Sequence, residues 1–410
     1  MKIKNLHLSY CSNIHAGESW EATFRNLKIY IPEVKKRLDH NEPFGIGLRL
    51  SHEASLELER PSSMQEFQEW LKKSNAYVYT MNCFPYGGFH RVKVKEQVHA
   101  PDWTTKERLA YTSRCFRILA QLLPEGMDGG ISTSPLSYRY WYDSELEKQE
   151  ARKKATLHLI ELVEELVRLR RETGKFLHLD LEPEPDGLIE NSDELIHYFK
   201  KELVAKGKKV LAKRLFSEES PSHLKWREAE GLILEHLQVC YDVCHFAIGY
   251  ENPKTTFQKL KKAGIGIGKI QLSAALKLML PNSPKERFSI EKRLEEFADT
   301  TYLHQVVGRT KEKGLTSYPD LPQALSQLHS TKDLEWRVHF HVPIFLDNYG
   351  TFQSTQEDIV EVLKLVNADS SITNHLEVET YTWEVLPQDT HLTLGEAISQ
   401  ELGWVNEQLL

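Results

Sequence analysis

Eight short apolar runs are spaced along the chain, and each ends in polar residues. They span 5–13, 44–51, 77–83, 176–184, 237–245, 267–273, 336–342 and 375–383. Successive side chains of a strand face opposite ways, so alternation sorts each run into two faces. The runs therefore predict strands with one apolar face and one polar face.

The sorting is clearest in the fourth, seventh and eighth runs. Their polar faces hold, in that order, His178, Asp180, Glu182 and Glu184; Arg337, His339 and His341; and Glu377, Glu379 and Tyr381. An open two-layer sheet does not need carboxylates and imidazoles at the ends of so many strands. A closed parallel barrel does, because its inner residues near the carboxyl-terminal rim line one site.

Segments with helical periodicity separate the runs, and this alternation of strand and helix is typical of parallel sheets. We therefore predict an α/β fold, a (β/α)8 TIM barrel that forms a single domain over residues 1–410. The connection after the third run is too long for an ordinary loop, so we predict an insertion at about 84–142. Its aromatic residues could shield a pocket or pack on the barrel flank.

Composition excludes several classes of protein. The chain has 410 residues, 40% of them hydrophobic and 27% charged, with 59 acidic against 52 basic side chains. No basic stripe is present, so nucleic acid is not expected as a partner. Five cysteines mostly within predicted elements indicate reduced thiols, and we expect a cytoplasmic protein without a signal peptide or membrane span.

Three acids lie at the ends of predicted strands: Glu182, Asp242 and Glu379. In a barrel they share one rim, where they predict an oxygen-rich site for Mn²⁺, Mg²⁺ or Zn²⁺. Singly, each acid could instead cap the next helix. Together they favour a metal site, with Glu182 and Glu379 also as catalytic groups that move a proton.

Histidines at the same rim extend this site. His245 lies three residues beyond Asp242, and we expect it to orient a substrate and assist catalysis. His341 is the expected fourth metal ligand, with Gln271 as the alternative. Further polar residues are expected to contact substrate: His15, Asn82, Gln271 and His339, with His339 about 6.6 Å deeper than His341 along its strand.

The chain resembles the xylose-isomerase-like superfamily of sugar-phosphate isomerases and epimerases. The residues that carry this resemblance are Glu182, Asp242 with His245, and Glu379. The resemblance implies a metal bound by acids on the fourth, fifth and eighth strands and a histidine on the sixth. It also implies that a histidine three residues after the fifth-strand acid contacts substrate. This chain departs from that pattern, because Gln271 stands where the sixth-strand histidine is expected.

A narrower resemblance, to the EboE family of metabolite traffic proteins, lies in five segments: 10–20, 177–187, 241–251, 337–345 and 378–387. It implies a role in the export or processing of secondary-metabolite precursors. It also implies a prenyltransferase-like membrane protein of the same pathway as a partner.

Three functions follow as hypotheses. The first is a metal-dependent isomerase or epimerase acting on a polyhydroxylated or carbonyl-bearing small metabolite. The second is a non-catalytic barrel that binds or hands over a metabolite, which Gln271 and the aromatic insertion favour. The third is a zinc-dependent phosphodiester hydrolase, which the extra histidines favour and the acidic net charge opposes.

Overall fold

Two sheets organise the part of the chain that the computed structural model describes, namely residues 1–90, 93–216, 221–298, 301–383 and 392–410. The described strands, in chain order, are β1 (Lys2–Ile3), β2 (Leu6–Tyr10), β3 (Phe44–Arg49), β4 (Ala76–Asn82), β5 (Asp128–Thr133), β6 (Phe176–Leu181), β7 (Leu237–Asp242), β8 (Ile267–Leu272), β9 (Ala274–Met279), β10 (Val306–Arg309), β11 (Leu315–Tyr318), β12 (Glu335–Val342), β13 (Asn348–Tyr349), β14 (Phe352–Ser354) and β15 (His375–Val378).

The described α-helices, in the same order, are α1 (Trp20–Arg37), α2 (His52–Leu58), α3 (Pro61–Lys73), α4 (Lys106–Leu122), α5 (Glu145–Thr173), α6 (Ser192–His197), α7 (Val204–Leu215), α8 (Ser222–His236), α9 (Val243–Ile248), α10 (Pro253–Ala263), α11 (Pro284–Glu295), α12 (Leu321–Gln327), α13 (Gln356–Ala368) and α14 (Leu394–Leu409). A π-helical turn, Tyr198–Leu203, joins α6 to α7. Within the described residues no helix is long and apolar enough to cross a membrane.

The first sheet is a parallel barrel. Its eight parallel strands pair in the order β2-β15-β8-β7-β6-β5-β4-β3, and β1 adds an antiparallel hairpin to β2. A parallel bridge between Cys11 and Gly47 joins the two ends and closes the barrel. The predicted (β/α)8 TIM barrel is thus confirmed.

Helices cover the outside of the barrel because their apolar residues recur every three or four positions. In α1 the buried residues are Trp20, Phe24, Leu27, Ile31 and Val34. The side chain of Ser19 accepts a hydrogen bond from the backbone N–H of Ala22 and so caps this helix. The same pattern of capped helix and buried stripe repeats in α10, where Asn252 is the cap.

One barrel strand lies inside the predicted insertion. β5 pairs with both β4 and β6, so Asp128–Thr133 is the fourth strand of the barrel. A long connection does follow the third strand, but it runs only from 83 to 105 before α4 begins. The predicted bounds of 84–142 were therefore too wide.

The seventh predicted strand does not belong to the barrel. β12 lies in a second, antiparallel sheet of order β11-β10-β12-β9-β14-β13, which the chain builds between the seventh and eighth barrel strands. β8 passes into β9 of this sheet after the single residue Ser273. The second sheet therefore continues from the carboxyl-terminal rim, and β12 returns His339 and His341 to that rim.

Candidate functional site

Three buried carboxylates converge at the carboxyl-terminal rim of the barrel. Glu182 follows β6, Asp242 ends β7 and Glu379 follows β15. One oxygen of each lies within 4.8 Å of an oxygen of the other two, and the side chains are at most 4% exposed. The acids expected to share the rim therefore meet at one point.

Asp242 is held in place on one side only. Its Oδ1 accepts hydrogen bonds from Ser273 Oγ at 2.7 Å and from the backbone N–H of His245 at 3.0 Å. Its Oδ2 is buried and has no hydrogen-bond partner. The neighbours of Asp242 thus fix the carboxylate through one oxygen and leave the other without a partner.

Glu379 is oriented by two side-chain amides, one from a turn and one from the end of β4. Its Oε1 accepts hydrogen bonds from Asn13 Nδ2 at 2.8 Å and from Asn82 Nδ2 at 2.9 Å. Asn82 was expected at the site, whereas Asn13 was missed because it lies in a short 3₁₀ turn, Ser12–Ile14, beyond the alternating part of its run.

His341 lies next to Asp242 and has one free ring nitrogen. Its Nδ1 lies 2.9 Å from the carbonyl oxygen of Glu379, which can only accept, so this nitrogen carries the proton. Its Nε2 is buried without a partner, and His341 has a ring nitrogen within 4.8 Å of ligand atoms of Asp242 and His245. A backbone bond that fixes the tautomer in this way is typical of metal-binding histidines.

Gln271 lies on β8, where it is the register partner of Asp242 on β7. Its Oε1 accepts a hydrogen bond from the Cys240 thiol at 2.7 Å, and its Nε2 is buried without a partner. It does not line the cleft above. Of the two alternatives for a fourth ligand, His341 is therefore the one whose free atom has a lone pair, since the free atom of Gln271 is an amide nitrogen that can only donate.

His245 and His339 form a pair beside this group. Their Nε2 atoms lie 3.1 Å apart, and both have ring nitrogens within 4.8 Å of a carboxylate oxygen of Glu184. Both histidines line the same cleft as His341. The expected depth of His339 below His341 assumed a barrel strand, and β12 is not one.

The acids cannot all be ionised without a counter-charge. Burial, and then the neighbouring acids, raise the pKa of Glu182, Glu184 and Glu379 well above the ordinary value. Burial acts on Asp242 in the same direction, but His245, His341 and the Ser273 hydrogen bond outweigh it, and the pKa of Asp242 is lowered. One carboxylate is therefore ionised most readily, and a cation would ionise the others.

The donor set fits a divalent cation. Glu182 Oε2, Asp242 Oδ2 and His341 Nε2 are all buried polar atoms without hydrogen-bond partners. Asp242 belongs to one group with Glu182 and Glu379 and to another with His341, and carboxylate oxygens and imidazole nitrogens are the ligands that Zn²⁺ and Mn²⁺ take.

A cleft of about 590 Å³, counting the space open to solvent, lies over these groups. Aromatic and apolar residues form much of its wall, among them Phe84, Phe89, Tyr302 and Tyr381. Among the described residues that line the cleft, Lys95 is the one lysine or arginine, and its Nζ lies 2.6 Å from Asp320 Oδ2. The described lining thus offers a largely aromatic cleft without a free cationic side chain.

Two sequence expectations are corrected here. His15 does not line the cleft: its Nε2 lies 3.0 Å from the Tyr10 hydroxyl oxygen and its ring stacks on Tyr30. The acids Glu182 and Asp242 belong to the fifth and sixth barrel strands rather than the fourth and fifth, because β5 adds a strand before them. Glu379 follows the eighth barrel strand, as expected.

Comparison with known proteins finds similar solved structures but does not assign the chain to a family. No protein-family model matches the chain, and no curated protein matches it. Solved structures similar to it include the IolI protein with a bound zinc atom (12% identity, 98% of each chain, TM-score 0.46). Others are a xylose isomerase domain protein from Alicyclobacillus acidocaldarius (10%, 98% of each chain, 0.44) and a xylose isomerase domain containing protein from Salmonella typhimurium (12%, 100% of this chain and 99% of that one, 0.40). At these scores the likeness carries no conclusion about activity, and the barrel rests on its own strand pairing.

Proposed function

We propose that this protein is a divalent-metal-dependent isomerase or epimerase that acts on a polyhydroxylated or carbonyl-bearing small metabolite. The observation that carries the proposal is that carboxylate oxygens of Glu182, Asp242 and Glu379 lie within 4.8 Å of one another, while His341, whose Nε2 is free, forms a second such group with Asp242. The bound ion, held by these four residues, would polarise a carbonyl oxygen or bind two hydroxyl oxygens of the substrate.

Glu182 and Glu379 are the proton-transfer groups in this proposal. They approach the same point from the fifth and eighth strands, so a substrate carbon between them would face a carboxylate on two sides. Burial raises the pKa of both carboxyl groups in the absence of a metal, and a bound cation would lower it again, so that both are ionised and able to accept a proton. Asn13 and Asn82 would hold Glu379 still during the transfer.

His245, His339 and Asn82 would orient the substrate hydroxyls. All three line the cleft next to the acids. Because the one described lysine of the cleft is already paired with Asp320, the lining supports an uncharged polyol or ketose better than a phosphate ester.

The EboE resemblance supports a physiological setting for this chemistry, which is the processing or export of secondary-metabolite precursors. A prenyltransferase-like membrane protein would then be the partner, and the protein would act in the cytoplasm.

The test is exchange of carbon-bound hydrogen with solvent. The full chain loaded with Mn²⁺ or Zn²⁺ is incubated in D₂O with a panel of free ketohexoses, ketopentoses and cyclic polyols, and deuterium in the recovered sugars is measured by NMR. We expect incorporation at one carbon next to a carbonyl, lost in Glu182→Gln and in Glu379→Gln. Absence of exchange across the panel with the metal-loaded protein would favour the non-catalytic metabolite-binding barrel.

A second candidate is hydrolysis of a phosphodiester with zinc. The observation that favours it is the number of imidazoles near the acids, since His245, His339 and His341 all line the cleft. Release of nitrophenol from bis(4-nitrophenyl) phosphate by the zinc-loaded protein would support it. The scarcity of free cations among the described lining residues is the reason we place it second.

A further inference from the structure

Two imidazole nitrogens meet in the cleft beside the three acids. His245 Nε2 and His339 Nε2 lie 3.1 Å apart, and both side chains are at most 6% exposed. A hydrogen bond between them requires a proton on one nitrogen and a lone pair on the other. The other nitrogen of each ring decides whether this is possible.

The Nδ1 atom of His245 faces the backbone. It lies 3.2 Å from the carbonyl oxygen of Pro183, and a carbonyl oxygen can only accept. The proton of a neutral His245 ring is therefore on Nδ1, which leaves a lone pair on Nε2.

His339 is fixed in the same way through Gln305. Gln305 Nε2 donates to the carbonyl oxygen of Pro185 at 3.2 Å, so its Oε1 is the end that faces His339. This Oε1 lies 2.7 Å from His339 Nδ1, which must then be the donor. A neutral His339 ring consequently also has its lone pair on Nε2.

The two neutral rings therefore direct lone pairs at each other across 3.1 Å. Such a contact is repulsive unless an electron-pair acceptor lies at the meeting point. Glu184 supplies a third lone-pair donor there, since one of its carboxylate oxygens lies within 4.8 Å of a nitrogen of each ring. Its Oε1 is buried without a hydrogen-bond partner, although it lies 3.2 Å from His99 Nε2.

We propose that Glu184, His245 and His339 bind a second divalent cation, next to the one held by Glu182, Asp242, Glu379 and His341. Two imidazoles and one carboxylate form a set that Zn²⁺ takes with its fourth position left for water or substrate. His245 also belongs to the group formed with Asp242 and His341, so the two ions would be neighbours. This inference rests on the proposed function for the first ion and deepens it, because the second ion, held by His245 and His339, would then bind the substrate hydroxyls in place of direct contacts from these two rings.

The segment 182–185 accounts for the arrangement. It alternates acid and proline, so Glu182 belongs to the first group and Glu184 to the second. The carbonyl oxygens of Pro183 and Pro185 orient His245 directly and His339 through Gln305. Four consecutive residues thus serve both groups.

The test is metal stoichiometry of the full chain. Protein freed of metal is dialysed to equilibrium against Zn²⁺ and analysed for zinc per chain, with circular dichroism to confirm folding. We expect about two zinc ions in the wild type and about one in His339→Ala and in the isosteric Glu184→Gln. The matched control is His236→Ala, a buried histidine bonded to the Leu177 carbonyl oxygen near the other end of the barrel, which should keep about two.

The outcomes separate this inference from the proposed function. One zinc in the wild type, lost in Asp242→Asn and kept in His339→Ala, would overturn the second site and leave the first intact; a shared proton would then lie between the histidines. Unchanged zinc in both His339→Ala and Glu184→Gln would also overturn it. Two ions without hydrogen exchange on any sugar of the panel would support the second site while the proposed isomerase activity fails.

Discussion

Lys269 Nζ lies 2.7 Å from Glu377 Oε2 inside the barrel, one layer deeper than Glu379, and both side chains are fully buried. The pair has space because β3 carries glycine at position 47, where a Cβ atom would lie 1.8 Å from Glu377 Oε1. The positive charge of Lys269 also affects the acids at the rim, because it opposes the rise in pKa of Glu182 and Glu379. The ion pair therefore links the packing of the barrel interior to the charge of the site.

Removal of Lys269 should destabilise the fold more than removal of the pair. Lys269→Met leaves Glu377 buried without a counter-charge, and breaking a buried pair in this way costs about 3–5 kcal/mol. The double variant Lys269→Met/Glu377→Gln removes both charges and should recover a large part of that loss. Urea unfolding of the three proteins measures this, and equal stability of the single and double variants would contradict it.

Asp242→Asn should lower the affinity of the first metal site markedly and leave the fold intact. Asparagine keeps the oxygen that accepts from Ser273 and His245, but it removes the negative charge that a cation needs. Zinc binding by titration calorimetry measures the change. Asp333→Asn is a matched control, because Asp333 is equally buried but bonds to Trp336 in the second sheet. Unchanged affinity in Asp242→Asn would mean that the ion lies elsewhere.

His341→Ala should weaken the first metal site more than His339→Ala does. The free Nε2 of His341 belongs to the group with Asp242, whereas His339 belongs to the group with Glu184. We expect a loss of at least about tenfold in affinity for the first ion in His341→Ala, as for other residues that support a metal. Titrations of the two variants at low zinc decide the order. If His339→Ala proves the more damaging, the assignment of these two residues is reversed.

The sequence predicted the chemistry of the site better than the identity of the strands. β5 was missed because its six residues, Asp128–Thr133, contain two glycines and Ile131 as their one large apolar residue. The glycine at 130 is required by packing, since a Cβ atom there would lie 2.5 Å from the His178 ring. A strand whose inward-facing side chains must be small shows no alternation of apolar and polar residues in the sequence.

β12 was taken for a barrel strand for the opposite reason. It alternates as a barrel strand does, with Phe340 packed on Phe297 and His339 and His341 facing the cleft. Alternation reports that one face is apolar and the other polar, but not which sheet the strand joins. His339 and His341 nevertheless lie in the predicted site, because the end of β12 lies at the carboxyl-terminal rim of the barrel.

Metal removal should make stability fall with rising pH. Burial raises the pKa of Glu182, Glu184 and Glu379 above the value in the unfolded chain, so their stabilising contribution is present at low pH and is lost as pH rises through the folded pKa. Between about pH 7 and 9 the buried histidines with lowered pKa are neutral in both states and do not mask this loss.

Thermal unfolding with chelator and with saturating Zn²⁺ measures the effect. We expect the difference between the two melting temperatures to widen as pH rises, because ligands must be deprotonated to bind. Groups far from the cleft, such as His178, contribute to both curves and cancel in the difference. A difference independent of pH would contradict the assignment of these glutamates to a metal site.

Glu401→Gln should stabilise the protein above neutral pH. Glu401 Oε1 accepts hydrogen bonds from Thr380 Oγ1 at 2.6 Å and from the backbone N–H of Ile344 at 3.2 Å, and so ties the segments that follow Glu379 and His341. Burial raises the pKa of Glu401 to about 7. Its stabilising contribution is therefore complete below the unfolded pKa and is lost as pH rises from about 4.5 through 7, by up to about 3 kcal/mol. Glutamine keeps an accepting oxygen and has no charge to bury, so the variant should gain on the wild type between pH 5 and pH 8. Urea unfolding at both pH values measures the gain, and a difference between variant and wild type that stays constant over this range would show that the pKa of Glu401 is the same in the folded protein as in the unfolded chain.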